Sequence, residues 1–301
     1  MVQGHSFKCS EQKNYSFLSA IKPTFMHKKN ILSITHCFLL SICLVVSAGC
    51  DKAFEYHPYD MKIEKKYQFL NHTHIEQIEQ AQEAVQDSFR FIFMGDTQRC
   101  YHETELFVKA VNERDDIAFV IHGGDLTDYG LKKEYLWMAE RLNKLKVPYV
   151  TLIGNHDVLG QGELLFQRIF GELNFAFTYN RTRFVCLNTN ALEFDYSVPV
   201  PDFEFIAQTI GDSASIDQTI VAMHTQPGNI EFNNNVKNVF HEYLKRNKHL
   251  LFCVHAHEHR LIANEIFNDG IVYYGSDNIE DRNYLLFTVY PHSYKYEVVY
   301  F

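Results

Sequence analysis

Short apolar runs recur along the chain from Phe89 onward, and in the first half each run is followed by a polar cluster and then by an amphipathic segment. The predicted strands are residues 89–94, 118–122 and 147–153, and the predicted helices are residues 102–114, 131–145 and 161–170. Strands that alternate with helices are typical of an α/β fold with parallel strands, whose ligand sites lie at the carboxyl ends of the strands. We therefore expect the polar clusters to share one edge of a sheet.

The second half of the chain has a different pattern, in which strand-like segments outnumber helices. The predicted strands are residues 175–179, 183–188, 219–223, 249–254, 261–267, 271–274, 284–290 and 293–300, and the predicted helices are residues 202–209 and 236–246. Short turns such as Asn268-Asp269-Gly270 separate several of these strands and indicate hairpins. This half predicts a second, more antiparallel sheet packed on the first.

Residues 51–88 precede the first predicted strand. Residues 51–70 have no clear period, and we expect them to form a mobile tether. Thr73 and Glu76 then match a capping box, and the apolar residues at 75, 78, 81 and 85 would share one face of a short helix. No linker-like stretch divides the chain after residue 89, so we expect one domain over residues 89–301.

The N-terminal region contains an apolar run, residues 31–48, that a soluble domain would not need. Lysines precede the run, and small residues lead from it to Cys50, as at a secretory cleavage site. The segment resembles a bacterial lipoprotein signal with Cys50 as the acylated residue, although Ser47 stands where such signals usually carry leucine. We therefore expect residues 1–50 to direct export, and lipid at Cys50 to tether the protein to a membrane, in the periplasm or at the cell surface.

Two further questions about this region remain open in the sequence. An apolar run of this length can also span a bilayer, so an uncleaved anchor is the alternative to lipid attachment. The stretch before Cys50 is longer than the roughly 15–30 residues of most signal peptides, and Met26 is followed by Lys28 and Lys29. We hypothesise that translation starts at Met26 and that residues 1–25 are not made. A peptide from residues 1–25, detected by mass spectrometry of the unprocessed protein, would contradict this.

Charge and cysteine usage exclude some classes of function. Five of the 28 basic residues and one of the 37 acidic residues precede Cys50, so the rest of the chain carries 23 basic and 36 acidic residues. This balance argues against a nucleic-acid-binding surface. Cys100, Cys186 and Cys253 are too widely spaced for a disulfide framework or a Cys-x-x-Cys zinc site. We interpret Cys186 and Cys253, which lie in apolar runs, as buried thiols.

Five polar clusters carry the candidate chemistry, and nearly all of them follow a predicted strand. They are Asp96-Thr97-Gln98, Gly124-Asp125-Leu126-Thr127-Asp128, Gly154-Asn155-His156-Asp157, His224, and His255-Ala256-His257. Carboxylate, amide and imidazole groups from separate strand ends can converge only if the strands are neighbours and the clusters share one edge. Such a mixture of ligands suits a pair of divalent cations, which a single carboxylate can bridge.

These clusters resemble the signature of the calcineurin-like metallophosphoesterase superfamily, which is D-x-H, G-D-x-x-D, G-N-H-D/E, a lone His and G-H-x-H. The resemblance covers about residues 89–277. It implies an α/β fold in which two packed mixed β-sheets are flanked by helices in a four-layer sandwich. It also implies hydrolysis of a phosphomonoester or phosphodiester by a hydroxide that bridges two divalent metal ions.

The resemblance also assigns roles to individual residues. It places Asp96, Gln98, Asp125 and His257 around the first metal, and Asp125, Asn155, His224 and His255 around the second, so that Asp125 bridges the two ions. His156 would not bind metal but would face the substrate, where it could stabilise the phosphoryl oxygens or protonate the leaving group. Asp128 would hydrogen-bond His156 and orient it.

Two positions depart from the family pattern. Val254 replaces the glycine before the final histidine pair, which should affect only the approach of the backbone. Gln98 replaces a histidine, and its amide oxygen is a weaker and harder ligand than imidazole, so the first metal should bind more weakly and prefer manganese or magnesium over zinc. We expect manganese at the site, with iron, zinc or magnesium as alternatives.

Several interpretations stay open at this stage. Gln98 also motivates a second function, a metal-binding or interaction module that kept the fold and lost turnover. Arg99 could touch a phosphate or be solvated, His122 is interpreted as packed, and His259 is interpreted as a surface residue. A barrel amidohydrolase that uses the His-x-His pair is excluded, because too few strands follow that pair. The loop composition does not indicate the substrate or separate a monoesterase from a diesterase.

Overall fold

The computed structural model describes residues 60–81, 85–195, 197–210 and 215–301, together with His36 and Phe38. Contacts divide the chain into two compact units, Met1–His57 and Pro58–Phe301. The expected lipoprotein signal and Cys50 lie outside the described residues, apart from His36 and Phe38. Within the described ranges, none of the helices combines the length and the apolar character needed to cross a membrane.

The elements of the described domain alternate between strands and helices. The strands are β1 (Phe89–Met94), β2 (Phe119–His122), β3 (Tyr149–Thr151), β4 (Phe175–Tyr179), β5 (Thr182–Leu187), β6 (Gln218–Met223), β7 (Leu250–His255), β8 (Ile262–Asn264), β9 (Tyr273–Gly275), β10 (Asn283–Tyr290) and β11 (Ser293–Tyr300). The α-helices are α1 (Leu70–Gln80), α2 (Tyr101–Asn112), α3 (Lys132–Leu142), α4 (Asn155–Val158), α5 (Gly162–Ile169), α6 (Phe203–Ile210) and α7 (Lys237–Lys245). Three short 3₁₀ helices cover Lys65–Tyr67, Ala191–Glu193 and Ile279–Asp281.

The strands form two mixed sheets, as predicted. The first sheet has the order β11-β10-β1-β2-β3, in which β1, β2 and β3 are parallel and β10 and β11 are antiparallel additions. The second sheet has the order β4-β5-β6-β7-β9-β8, with a parallel centre from β5 to β9 and antiparallel strands at its edges.

The prediction of a more antiparallel second sheet is wrong in two respects. Helices α6 and α7 lie in the connections from β5 to β6 and from β6 to β7, and such crossovers make the strands parallel. The last two strands return to the first sheet and not to the second, because β10 pairs with β1. Only local turns produce the expected hairpins, such as Asn180-Arg181 between β4 and β5, where both residues have positive φ.

Aromatic side chains fill the space between the two sheets. Phe91 and Phe119 from the first sheet and Phe184 from the second are buried, and the Phe184 ring makes edge contacts at 5.1 Å with both of the others. Such pairs add to the free energy gained by burying large apolar area. The outer faces are covered by helices, with Phe107 of α2 and Tyr135 of α3 on the first sheet and Phe240 of α7 on the second. The predicted four-layer sandwich is therefore confirmed.

Helix α1 is attached to the domain by the side chain of Asn71, which hydrogen-bonds the backbone of β3 at the edge of the first sheet. Asn71 donates from Nδ2 to the Thr151 carbonyl oxygen at 2.8 Å and accepts from the Thr151 N–H at 2.9 Å. The predicted capping box is wrong, since the helix begins at Leu70 and the Thr73 hydroxyl bonds the Phe69 carbonyl oxygen within it. Residues 60–70 also pack on the domain, where Ile63 is buried in its core.

Candidate metal centre

The carboxyl ends of five strands meet at one edge of the sandwich. Asp96 follows β1, Asp125 follows β2 and Asn155 follows β3, while His224 and His257 follow β6 and β7. Backbone hydrogen bonds lock the first two loops together, because Asp96 N–H donates to the Gly124 carbonyl oxygen at 3.0 Å and Thr97 N–H to that of Asp125 at 2.9 Å. The polar clusters predicted to share one edge therefore do so.

One group of potential ligands is formed by Asp125, His224 and His257, whose ligand atoms lie within 4.8 Å of one another. Asn155 completes it, since its Oδ1 lies 3.0 Å from both His224 Nε2 and His257 Nδ1. The other nitrogen of His224, Nδ1, donates to the Gly123 carbonyl oxygen at 2.8 Å. In the neutral imidazole, Nε2 therefore points a lone pair at the oxygen of Asn155, and a cation between these atoms would satisfy both.

A second group is formed by Asp96, Asp125 and His259, also within 4.8 Å. His259 Nε2 lies 3.4 Å from Asp96 Oδ1. Gln98 reaches the same place, with Nε2 donating to Asp125 Oδ2 at 3.3 Å. Asp96 Oδ1 and Gln98 Oε1 are buried and accept no hydrogen bond from the described residues. Buried acceptors without donors are costly, and a cation held by these two residues would satisfy both oxygens.

The charges of this centre also fit cations. Burial, together with the carboxylates of Asp96 and Asp157, raises the pKa of Asp125 well above its usual range. Burial lowers the pKa of His257 to about 4, which keeps its imidazole neutral and able to bind metal at neutral pH. Carboxylates buried side by side are unfavourable unless positive charge compensates them. Two divalent cations would supply that charge, and Asp125 belongs to both groups.

The two groups contain the histidine pair His257 and His259, whereas the sequence analysis assigned the pair His255 and His257. His255, the expected ligand to the second metal, is buried within β7 opposite Gly275 and belongs to neither group. His257 lies with Asp125 and His224, which were expected around the second metal, and not beside Asp96 as expected. His259, interpreted as a surface residue, lies beside Asp96 instead. The reason is that β7 still pairs at His255, and the chain leaves the sheet only afterwards, with positive φ at His257 and His259.

The shifted register also changes the interpretation of the glycine position. Ala256, and not Val254, stands before the histidine pair, with its methyl group against two glycines of neighbouring strand ends. A Cβ added at Gly95 or at Gly123 would lie 2.8 Å from the Ala256 Cβ. Real Cβ atoms essentially never approach each other this closely. The strand ends are therefore packed so tightly that Gly95 and Gly123 have no room for a side chain.

His156 lies at the entrance to the centre and is only partly buried. Its backbone N–H donates to Asp125 Oδ1 at 3.0 Å, and its ring Nδ1 donates to the backbone carbonyl oxygen of Asp128 at 3.0 Å. The Asp128 carboxylate is 4.0 Å away, so the expected orienting contact is made by the backbone and not by the side chain. Burial lowers the pKa of His156, but the hydrogen bond to Asp128 and the nearby carboxylates outweigh it and raise the pKa.

Asp157 holds two of the loops together, a role that the sequence did not reveal. Its buried carboxylate accepts hydrogen bonds from the N–H groups of Gly154, Leu126 and Thr127 and from the Thr127 hydroxyl, at 2.8–3.2 Å. Hydrogen bonds to a charged acceptor each contribute about 1.5–3 kcal/mol. His122 acts similarly, because its Nδ1 accepts from Gly124 N–H and its Nε2 donates to the Thr97 hydroxyl. It is packed, as the sequence analysis proposed.

The loops after β5 and β6 are joined to each other and to the segment just before Asn155 by hydrogen bonds of Asn190. The buried Asn190 donates to the carbonyl oxygen of Ile153 at 2.9 Å and accepts from the Thr225 hydroxyl at 3.2 Å, so it fixes these loops behind the ligands. Beyond Asn190 the same two loops enclose a cavity of about 590 Å³ with apolar lining residues that include Leu192, Val198 and Phe232. A cavity of this size is typical of small-molecule sites.

Comparison with known proteins agrees with this geometry. Residues 89–261 match the family described as calcineurin-like phosphoesterase, a span that contains every potential ligand described above. The chain belongs to this family. Membership in the calcineurin-like phosphoesterase family supports phosphoester hydrolysis as the general class of activity. No protein of curated function matches the sequence significantly.

Solved structures show the same fold at low sequence identity. A dimetal phosphatase from Danio rerio is 12% identical with a TM-score of 0.56, and the alignment covers 70% of this chain and 95% of that one. GAP50, the anchor in the inner membrane complex of Plasmodium, is 11% identical with a TM-score of 0.52, covering 71% and 85%. PhoD is 12% identical with a TM-score of 0.54, covering 72% and 66%. At these identities the likeness concerns the fold alone.

Proposed function

We propose that this protein hydrolyses phosphoesters with the help of two divalent cations. One cation would be held by Asp125, Asn155, His224 and His257, and the other by Asp96, Gln98, Asp125 and His259. The observation that supports this most strongly is the pair of ligand groups that share Asp125, together with the buried Asp96 Oδ1 and Gln98 Oε1, which accept no hydrogen bond from the described residues. Bound there, the cations would neutralise phosphoryl charge and make a water molecule more acidic.

The chain itself supplies a proton donor and a rigid frame. His156 is held at Nδ1 by the Asp128 carbonyl oxygen and at its backbone by Asp125, which leaves Nε2 as the nitrogen that can give a proton to the leaving oxygen of the substrate. Asp157 keeps the loop of Asn155 and His156 against the loop of Asp125. Such preorganisation lets the groups act on the reacting phosphorus without rearrangement.

The identity of the cations follows from the donor set. The group of Asp96, Gln98, Asp125 and His259 has one imidazole and otherwise offers oxygen ligands, which favour manganese or magnesium over zinc. The group of Asp125, Asn155, His224 and His257 contains two imidazoles. We therefore propose manganese, with the ion beside Gln98 as the weaker and more exchangeable one.

The proposed activity is tested by a rate screen. Purified protein with added manganese is incubated with aryl phosphomonoesters, aryl phosphodiesters, nucleotides and phospholipid head groups. We expect hydrolysis of at least one class, and His156→Ala should lower the rate by about 10²–10⁴-fold, as loss of a general acid does, while both metal ions stay bound. Metal-loaded protein that is inert on every class would instead support the alternative, a non-catalytic metal-binding module.

A pair of histidine variants tests the register of the ligands. His259→Ala should lose the metal ion next to Asp96 and retain about one ion per chain, because imidazole is one of its few strong ligands. His255→Ala should retain both ions, although it leaves a small buried cavity. Metal content is measured by mass spectrometry after dialysis. Loss of an ion from His255→Ala with both ions kept in His259→Ala would restore the original assignment.

Export and lipid attachment at Cys50 remain proposals that rest on the sequence alone. They would place the phosphoester substrate outside the cytoplasm. A Cys50→Ser variant expressed in a bacterium should lose incorporation of labelled palmitate, and incorporation that persists would contradict lipid attachment at this residue.

A further inference from the structure

Asp128 contacts two different side chains, His156 through its backbone carbonyl oxygen and Arg99 through its carboxylate. Its backbone carbonyl oxygen accepts from His156 Nδ1. Its carboxylate instead binds Arg99, whose Nη2 lies 2.5 Å from Oδ1 and 2.6 Å from Oδ2. At 4.0 Å from His156 Nδ1, the carboxylate makes no hydrogen bond to the imidazole. Arg99 therefore occupies the carboxylate that would otherwise be available to His156.

The position of Arg99 is unusual for an ordinary surface arginine. Its φ is 67°, a left-handed conformation that costs a non-glycine residue free energy and persists only where the surroundings enforce it. It directly follows Gln98, which belongs to one of the ligand groups. The Asp128 side chain is 9% exposed, whereas that of Arg99 is 68% exposed. The buried carboxylate thus fixes one nitrogen of the guanidinium, and the rest of the group is exposed. The same Asp128 Oδ1 atom lies 4.0 Å from His156 Nδ1, which places Arg99 and His156 on either side of one carboxylate.

We propose that Arg99 binds the phosphoryl group of the substrate and makes the site selective for phosphomonoesters. Arginine pairs with phosphate oxygens through two parallel N–H donors, and the pair is stronger when the anion carries more charge. A phosphomonoester is a dianion near neutral pH and a phosphodiester is a monoanion. Asp128 is then a positioning residue that acts through Arg99 and not through its carboxylate on His156. This inference rests on the proposed function.

The experiment compares two substrates with one leaving group, 4-nitrophenyl phosphate and 4-nitrophenyl methyl phosphate, in the full-length protein with manganese. Arg99→Gln should raise KM for the monoester by about tenfold or more with a smaller change in kcat, and should change kcat/KM for the diester by less than about threefold. Arg99→Lys keeps the positive charge but loses the pair of parallel N–H donors, and it should recover part of the monoester activity. The dissociation constant of inorganic phosphate, measured by calorimetry, should rise by a similar factor in Arg99→Gln.

A mutant cycle tests the role of Asp128. Asp128→Asn should resemble Arg99→Gln, and the double variant should lose little more than either single variant, because both remove the same contact. If Asp128→Asn lowers kcat further in the Arg99→Gln background, the carboxylate acts directly on His156 and the positioning role is overturned. Equal losses on monoester and diester would show that Arg99 only maintains structure, which also overturns the proposal.

Arg181 provides a matched control. It too has positive φ, at 61°, and pairs with a carboxylate, Asp217, through Nε and Nη2 at 2.5 and 2.8 Å, but it lies in the β4–β5 turn away from the centre. Arg181→Gln should leave both substrates unaffected. Wild-type protein that is inert on both substrates and on every class of the rate screen would refute the proposed function. The phosphate titration would then decide on Arg99, because an unchanged dissociation constant in Arg99→Gln overturns its role.

Discussion

Asp125→Ala is expected to abolish hydrolysis and to remove both metal ions. Asp125 is the residue that belongs to both ligand groups, and its Oδ1 also accepts the N–H of His156. Loss of the shared carboxylate removes an anionic ligand from each cation, and no other described carboxylate takes part in both groups. The rate should fall by at least about 10³-fold, because the electrostatic stabilisation of the transition state and the position of His156 are lost together.

The measurement is metal content by mass spectrometry alongside the rate on the best substrate. Asp125→Ala should retain far less than one ion per chain after dialysis, which distinguishes it from His156→Ala, where the metals stay. Asp217→Ala, which removes an exposed carboxylate paired with Arg181, is the control and should keep both ions and full activity. Two tightly bound ions in Asp125→Ala would show that the two groups do not form one bridged centre.

Gly154→Ala should damage the centre almost as severely without replacing any ligand. A Cβ at this position would lie 2.1 Å from Asp125 Oδ1 and 2.2 Å from the Asp125 nitrogen, so the loops after β2 and β3 would have to separate. Displacement of a reacting group by about 1 Å can cost 10²-fold in rate. We expect a rate below about 1% of wild type, weaker metal binding, and a free energy of unfolding lower by about 1–3 kcal/mol, as in other overpacked sites.

Thermal unfolding and metal titration check this expectation, with Gly160→Asn as the control. Gly160 has positive φ, which asparagine tolerates, and a Cβ there would meet no atom within 4 Å. The control should keep wild-type activity and metal affinity. Wild-type metal binding in Gly154→Ala would mean that the two loops do not need the close approach seen here.

The first half of the fold was predictable because its signal is local. Each of β1, β2 and β3 is a short apolar run followed by an amphipathic helix, and this pattern specifies direction as well as element type. The partners of β10 and β11 were not predictable in this way. Their hairpin is local, but the pairing of Phe89 with Val289 joins residues at opposite ends of the domain, and periodicity carries no information about such contacts.

Within the site, the ligand types were easier to predict than their register. Three histidines alternate at 255, 257 and 259, and any two that are two residues apart fit a His-x-His pattern. The structure brings His257 and His259 to the carboxylates, because β7 still pairs at His255, opposite Gly275 of β9. The Asp128 contact was missed for a similar reason, since a sequence motif does not say whether a backbone or a side-chain oxygen accepts a hydrogen bond. Asp96, Asp125, Asn155 and His224 are among the side chains that the structure brings together.

The close contact of Ala256 with Gly95 and Gly123 limits how this protein can be redesigned. Because larger side chains have no room at these strand ends, this part of the candidate metal centre offers few positions where a substitution would be tolerated. Libraries aimed at new substrates should leave it unchanged. They should instead vary the loops that enclose the cavity beyond Asn190, where the exposed side chains of Leu192 and Val198 can change size without moving a metal ligand.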